Sequence, residues 1–147
     1  MAKSNVLYRS KLKKVKQLID NSDFEAAEII LKQLVLKAPR DAEIWLYKGY
    51  VDGFRGSHEK AAENFKKALA IKPDDENILY NYGISSRDFG DYQSAANAFK
   101  KSLIKDPDNT QKLDCLADVY MILNESDKAV ETFSKSQIGR ASCRERV

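Results

Sequence analysis

Apolar side chains at Tyr8, Leu12, Val15 and Ile19 recur at a 4/3/4 spacing, which gathers them on one stripe of a helix over residues 6–19. Asn21-Ser22-Asp23 interrupts that stripe. Ser22, three places before Glu25, has the form of a capping box and predicts the start of a second helix. Its inward set is Ala27, Ile30, Leu31 and Leu34, and it ends before Pro39, because proline lacks an amide donor and disfavours helix at the preceding residue. Asp41 predicts the cap of a third helix running through Phe54, with Trp45, Gly49 and Val51 turned inward. Gly56-Ser57 then leads into a fourth helix over about 58–71. The alternation continues at about 75–88, 92–105 and 109–123, with turns at Gly90-Asp91 and Asn124-Glu125-Ser126 and a last helix from Asp127. No stretch alternates with period two, so no strand is expected.

These helices are copies of one another. Ala61, Phe65, Ala68 and Pro73 return 34 residues later as Ala95, Phe99, Ser102 and Pro107. The same shift backwards gives Ala27, Leu31, Leu34 and Pro39, and one more forwards gives Ala129, Phe133 and Ser136. The chain has three prolines, and they mark the period. A fixed repeat of this length predicts an all-α array of about eight helices, in which each helix pair packs mainly on its neighbours.

Composition changes the picture mostly by exclusion. Lys, Asp and Glu break every apolar stretch before it reaches membrane-spanning length, and the basic N-terminus lacks the apolar core of a secretory signal. The cytoplasm is the expected location. The last ten residues, IGRASCRERV, break the repeat and resemble the conceptual translation of a sequencing adapter, so 138–147 reads as a non-native tail. Arg140, Arg144 and Arg146 against Glu145 supply +2 of the net +3, which leaves residues 1–137 near +1. The basic balance is therefore a property of the tail and does not point to nucleic acid. With Cys143 set aside, Cys115 stands alone, in keeping with a reducing compartment.

The motif Trp-x2-Leu-Gly-x2-Tyr, Ala-x3-Phe, Pro is matched by Trp45, Gly49, Ala61, Phe65 and Pro73, with Lys48 and Asp52 departing from it. Leu79, Tyr82, Gly83, Ala95, Phe99 and Pro107 match it again, with Ser86 in place of Tyr. A further copy holds Leu113, Leu116, Ala117, Tyr120, Ala129 and Phe133, and the first copy has Lys11, Lys14 and Val15 at its leading positions. In these residues the chain resembles the tetratricopeptide repeat (TPR) family. The resemblance implies a right-handed α-α superhelix, with an N-terminal extension at 1–7 and an array at 8–137. Its units are 8–41, 42–75, 76–109 and 110–137. The motif also leads to the expectation that Gly49, Gly83 and Ala117 face Ala61, Ala95 and Ala129. Phe65, Phe99 and Phe133 would then fill the gap between successive units.

Nothing in the sequence assembles catalytic chemistry. His58 is the one histidine, with no second His or Cys beside it. A metal site needs three or four protein ligands at set spacing, and Cys115 has no base in its own unit. No catalytic, cofactor or metal site is expected. What remains is a surface. In the TPR family the first helix of each pair lines the concave face, and by register this places Tyr47, Tyr50 and Phe54 there on one helix. Tyr80, Asn81, Ile84 and Arg87 point to the groove from the next. Aromatic residues and arginine are the types that anchor protein contacts, and asparagine can bridge a peptide backbone. The competing reading is that several of these rings pack between units. Family co-chaperones grip a carboxylate with Lys, Asn and Arg. The corresponding positions here are Leu12, Lys16, Tyr47, Asn77 and Asn81, or Leu46, Tyr50, Asn81, Gln111 and Cys115. Neither set is a cationic clamp, so a chaperone tail is not expected as partner. The expected function is a non-enzymatic scaffold holding a peptide or partner segment in its groove. The alternative is a substrate-recruiting arm of a larger enzyme of glycosyltransferase or sulfotransferase type. The final unit, ending without a polar capping helix, keeps that alternative open.

Overall fold

The structure, a computed structural model, describes residues 2–145, and the side chains of 6–142. All regular structure among them is helical: α1 (Ala2–Asp20), α2 (Phe24–Lys37), α3 (Ala42–Phe54), α4 (His58–Ile71), α5 (Glu76–Phe89), α6 (Tyr92–Ser102), α7 (Thr110–Ile122) and α8 (Ser126–Glu145). The fold is an all-α helical repeat. It divides into two compact units, Met1–Lys72 with α1–α4 and Pro73–Val147 with α5–α8. In the first, α1 packs on α2, α2 on α3 and α3 on α4, with α1 also beside α3. In the second, α5 packs on α6, α6 on α7 and α7 on α8, with α5 also beside α7.

Each helix pair turns through the same corner. Ser22, Gly56, Gly90 and Asn124, spaced by the period, all have positive φ, at 61°, 78°, 99° and 58°. The following amide reaches back over the corner in every copy: Asp23 N to Leu18 O at 2.8 Å, Ser57 N to Asp52 O at 2.9 Å, Asp91 N to Ser86 O at 2.8 Å, and Glu125 N to Tyr120 O at 2.9 Å. This left-handed stop satisfies the last carbonyls of the first helix. It also corrects one expectation. Ser22 is the stop of α1, and Asp23 is the cap of α2, accepting Ala26 N at 3.2 Å. Asp41, Asp75 and Asn109 cap α3, α5 and α7 through their side chains.

Helix limits differ from expectation at three places. The N-terminal helix begins at Ala2, because nothing between Lys3 and Tyr8 breaks it. The α6 helix stops at Ser102 rather than near 105, where Leu103 N and Ile104 N tighten onto Lys100 O and Lys101 O. The final helix passes Gln137 and continues to Glu145. In the tail, the Arg140 guanidinium pairs with Asp114, which also accepts Ser136 Oγ at 2.6 Å.

Each unit has its own apolar core, around Leu12, Val15, Leu31, Leu34 and Ile44 in the first and around Phe99, Leu113, Leu116 and Val119 in the second. At Gly49 and Gly83 the nearest neighbour across the pair is a phenylalanine ring. A Cβ on Gly49 would lie 2.4 Å from the Phe65 ring, and one on Gly83 would lie 2.7 Å from the Phe99 ring. It is Gly53 that approaches Ala61. The glycines thus make room for the aromatic ring of their own helix pair, and Phe99 also belongs to the core it shares with Leu113 and Leu116 of α7. Two serines repeat a bond as well as a letter: Ser102 Oγ donates to Glu76 O at 3.2 Å, and Ser136 Oγ to Thr110 O at 3.4 Å.

Candidate functional site

The expected groove residues fall into two groups, one in each unit. In the first unit, Tyr47, Tyr50 and Phe54 occupy successive turns of α3 and line one cleft of about 420 Å³. Lys16, Ile19 and Asp20 of α1, Ser22 of the corner, and Phe24 of α2 complete its wall. Four rings therefore meet there. Phe24 and Phe54 stack with centroids 5.4 Å apart and planes 15° apart, and Tyr47 and Tyr50 lie 6.3 Å apart at a tilt. Phe54 is 65% exposed, a large ring left mostly in water despite its stacking partner.

Tyr50 has a second role, meeting Phe65 edge-on at 5.7 Å. The half-buried Tyr50 thus presents one edge to the cleft and rests on the core with the other. Tyr47 donates its hydroxyl to Glu43 at 3.0 Å. Burial, followed by the Glu43 carboxylate, pushes its phenol well above the ordinary value, so Tyr47 stays neutral and a hydrogen-bond donor throughout the physiological range.

In the second unit Tyr80, Ile84 and Arg87 follow one face of α5 and are half-buried. Tyr80 leans on Phe99 at 5.9 Å, as Tyr50 does on Phe65, although in the repeat Tyr80 stands at the place of Leu46 and Ile84 at that of Tyr50. Its hydroxyl lies 3.9 Å from Cys115 Sγ, and Arg87 Nη1 approaches the same sulfur at 4.0 Å. Arg87 is also held by Asp88 through Nε at 2.9 Å. Burial, then the neighbouring Cys115, pushes the Tyr80 phenol up to about 12. Asn81 turns back along its own helix, its amide donating to Asn77 O at 2.7 Å and to Asn77 Oδ1 at 3.0 Å.

The rings divide by what they touch. Tyr50 and Tyr80 pack on the phenylalanine of their own helix pair and keep an outward edge. Tyr47 and Phe54 are cleft residues. Phe24 escaped the sequence reading because it opens a second helix, whereas groove positions were drawn from first helices. Its signal was its place two residues after the corner residue, as the first residue of α2. Lys112 was also missed. It stands where Ile44 and Ile78 stand in earlier copies, yet it is buried, with Nζ 3.2 Å from Glu76 Oε2 and 3.3 Å from Ser102 O.

Among the described residues no group of three His, Cys, Asp or Glu side chains could hold a metal ion. No helix among them is long and apolar enough to cross a membrane. His58 is half-buried as the first residue of α4.

Comparison with solved structures returns other helical-repeat proteins. A crystal structure of MamA, 20% identical, matches 94% of this chain and 81% of its own length with a TM-score of 0.87. PilF of Pseudomonas aeruginosa, 19% identical, matches 92% of this chain and 62% of its own at 0.79. The Cut9–Hcn1 hetero-tetramer of the APC/C, 16% identical, matches 90% of this chain and 27% of its own at 0.78. At such identities the likeness shows the fold. No curated protein matches the chain. The profile of the family described as the cytochrome c-type biogenesis protein H TPR domain matches residues 2–138, nearly the whole chain. By that match the chain belongs to the cytochrome c-type biogenesis protein H TPR domain family.

Proposed function

We propose that the protein is a non-catalytic scaffold that binds an extended peptide segment against its first-helix faces, with the cleft beside Tyr47, Tyr50 and Phe54 as the main anchor site. The observation that carries this reading is Phe54, left mostly in water on the half-buried Phe24, over a cleft walled by two tyrosines. A folded surface rarely leaves such a cluster open without a partner, and buried aromatic anchors dominate the energetics of protein contacts. Tyr47, held neutral, offers a hydroxyl at the wall, and Tyr50 supplies an edge fixed from behind by Phe65. In the second unit, Tyr80, Ile84 and Arg87 offer a separate surface of similar chemistry on α5, where the guanidinium can take a backbone carbonyl or an acidic side chain.

The test is to select peptides against the full chain by display and measure their affinity for two variants. Phe54→Ala and Tyr47→Ala are expected to weaken selected peptides by tenfold or more, about the 1.4 kcal/mol that marks an anchor, with unchanged helicity. Equal affinity for both variants and the parent would refute the cleft as anchor. Replacing Tyr50 or Tyr80 is less informative, because each also supports a buried phenylalanine.

A further inference from the structure

The charge beside the cleft specifies which peptide enters it, and this inference rests on the peptide-binding reading above. Arg9, Lys13 and Lys16 lie at 4/3 spacing on one stripe of α1, all exposed, and none pairs with a carboxylate among the described residues. Lys16 is the point where the stripe enters the cleft, next to Ile19 and Tyr47. The stripe spans about 10 Å from Arg9 to Lys16 at ~1.5 Å per helical residue. An extended peptide covers that in about three residues at ~3.3 Å each.

The nearby acids offset it only in part. Asp41 and Glu43 accept the hydroxyls of Tyr8 and Tyr47 and keep their charge, but α1 between residues 9 and 20 carries Arg9, Lys11, Lys13, Lys14 and Lys16 against Asp20 alone. Asp20 lies at the opposite end of the cleft from Lys13 and Arg9, one turn beyond Lys16 along α1. The field along α1 is therefore polar: positive from Arg9 to Lys16, negative at Asp20.

From this we infer that the first unit recognises an acidic segment, in which one aromatic or large aliphatic side chain fills the cleft and two or more Asp or Glu residues, within about three positions of it, run along α1 toward Arg9. The apolar anchor supplies most of the affinity, and the lysines select the flanking sequence and its direction.

Synthetic fluorescent peptides test this by anisotropy on the full chain. One set carries a single Trp, Phe or Leu flanked by Asp/Glu, by Ser/Gln or by Lys/Arg, and a control set carries the acidic flank with Ala at the anchor. The acidic set with an anchor is expected to bind at least tenfold tighter than the neutral set. Doubly reversed Lys13→Glu/Lys16→Glu protein should lose that preference and favour the basic set, while its thermal melt stays that of the parent. Equal binding of all three flanks would overturn the inference and leave the peptide reading intact, as would a preference for basic flanks. Equal binding of the Ala control would also overturn it, showing attraction by charge alone. Failure of every anchored peptide to bind would remove both.

Discussion

Ser86 is fully buried on α5, and its Oγ has no partner among the described groups. The repeat explains why. One period earlier the position is Asp52, which accepts Asn64 Nδ2 at 2.7 Å; here the residue equivalent to Asn64 is Ala98. One period later it is Tyr120, a buried ring. Ser86 keeps the polarity of one copy without its partner, and a buried unsatisfied hydroxyl costs about 1–3 kcal/mol. Ser86→Ala is expected to leave stability unchanged or raise it in a urea melt, and a fall of the midpoint would show that the hydroxyl is satisfied. Gly83→Ala should do the opposite, costing about 1–3 kcal/mol by driving a methyl into the Phe99 ring. Titration gives a further residue-scale check. The Tyr80 phenol is raised from 10.0 to about 12 in the folded protein, so above pH 10 the unfolded chain binds fewer protons than the folded one. Stability from this group is complete below about pH 10 and is lost as pH climbs through about 12. Denaturant midpoints between these limits should fall less steeply for Tyr80→Phe than for the parent, and parallel curves would refute the assignment.

At the scale of the helix, the order, number and type of elements were legible in the sequence because the 34-residue period states them four times over. What the period did not state was how each copy is used. Ser22 has the letters of a capping box, but its register with Gly56 and Gly90 identifies a stop, and register outweighs the local motif. That Gly49 and Gly83 lie against the Phe65 and Phe99 rings was hidden because a small residue signals a close approach without naming the partner. Lys112 could not be read as buried from its letter alone, since lysine is almost never enclosed unless paired. Lys112→Ile restores the residue of the earlier copies, and replacing a buried charge by a fitted apolar group is often neutral or stabilising. The melting temperature of that variant is expected to hold or rise, whereas a loss of several degrees would show that the Glu76 and Ser102 contacts outweigh the burial of lysine. Of the candidate site, the aromatic character of α3 was legible. The contribution of Phe24 was not, because it comes from a second helix.

For the molecule as a whole, the two units carry separate cores, and the single tryptophan, Trp45, belongs to the first. Its indole donates to Pro39 O at 2.8 Å and lies under Lys67, so its fluorescence reports on that unit's own contacts. Phe99→Ala empties the centre of the second core and should cost about 3–5 kcal/mol there. Stability in repeat proteins is a sum of local terms and neighbour terms. The midpoint seen by circular dichroism, which averages all helices, is therefore expected to move further than the midpoint seen by Trp45 fluorescence. Identical shifts would mean that the units melt as one. The four corners have a consequence of another kind, for chirality. Residues 22, 56, 90 and 124 sit where an L residue has the wrong hand, and at Gly90 a side chain of ordinary hand meets no atom within 4 Å. Any penalty for L-alanine at 90 is therefore torsional rather than steric crowding by neighbours, and its mirror-image residue, installed by chemical ligation, would suit that corner's torsion angles better than the natural enantiomer.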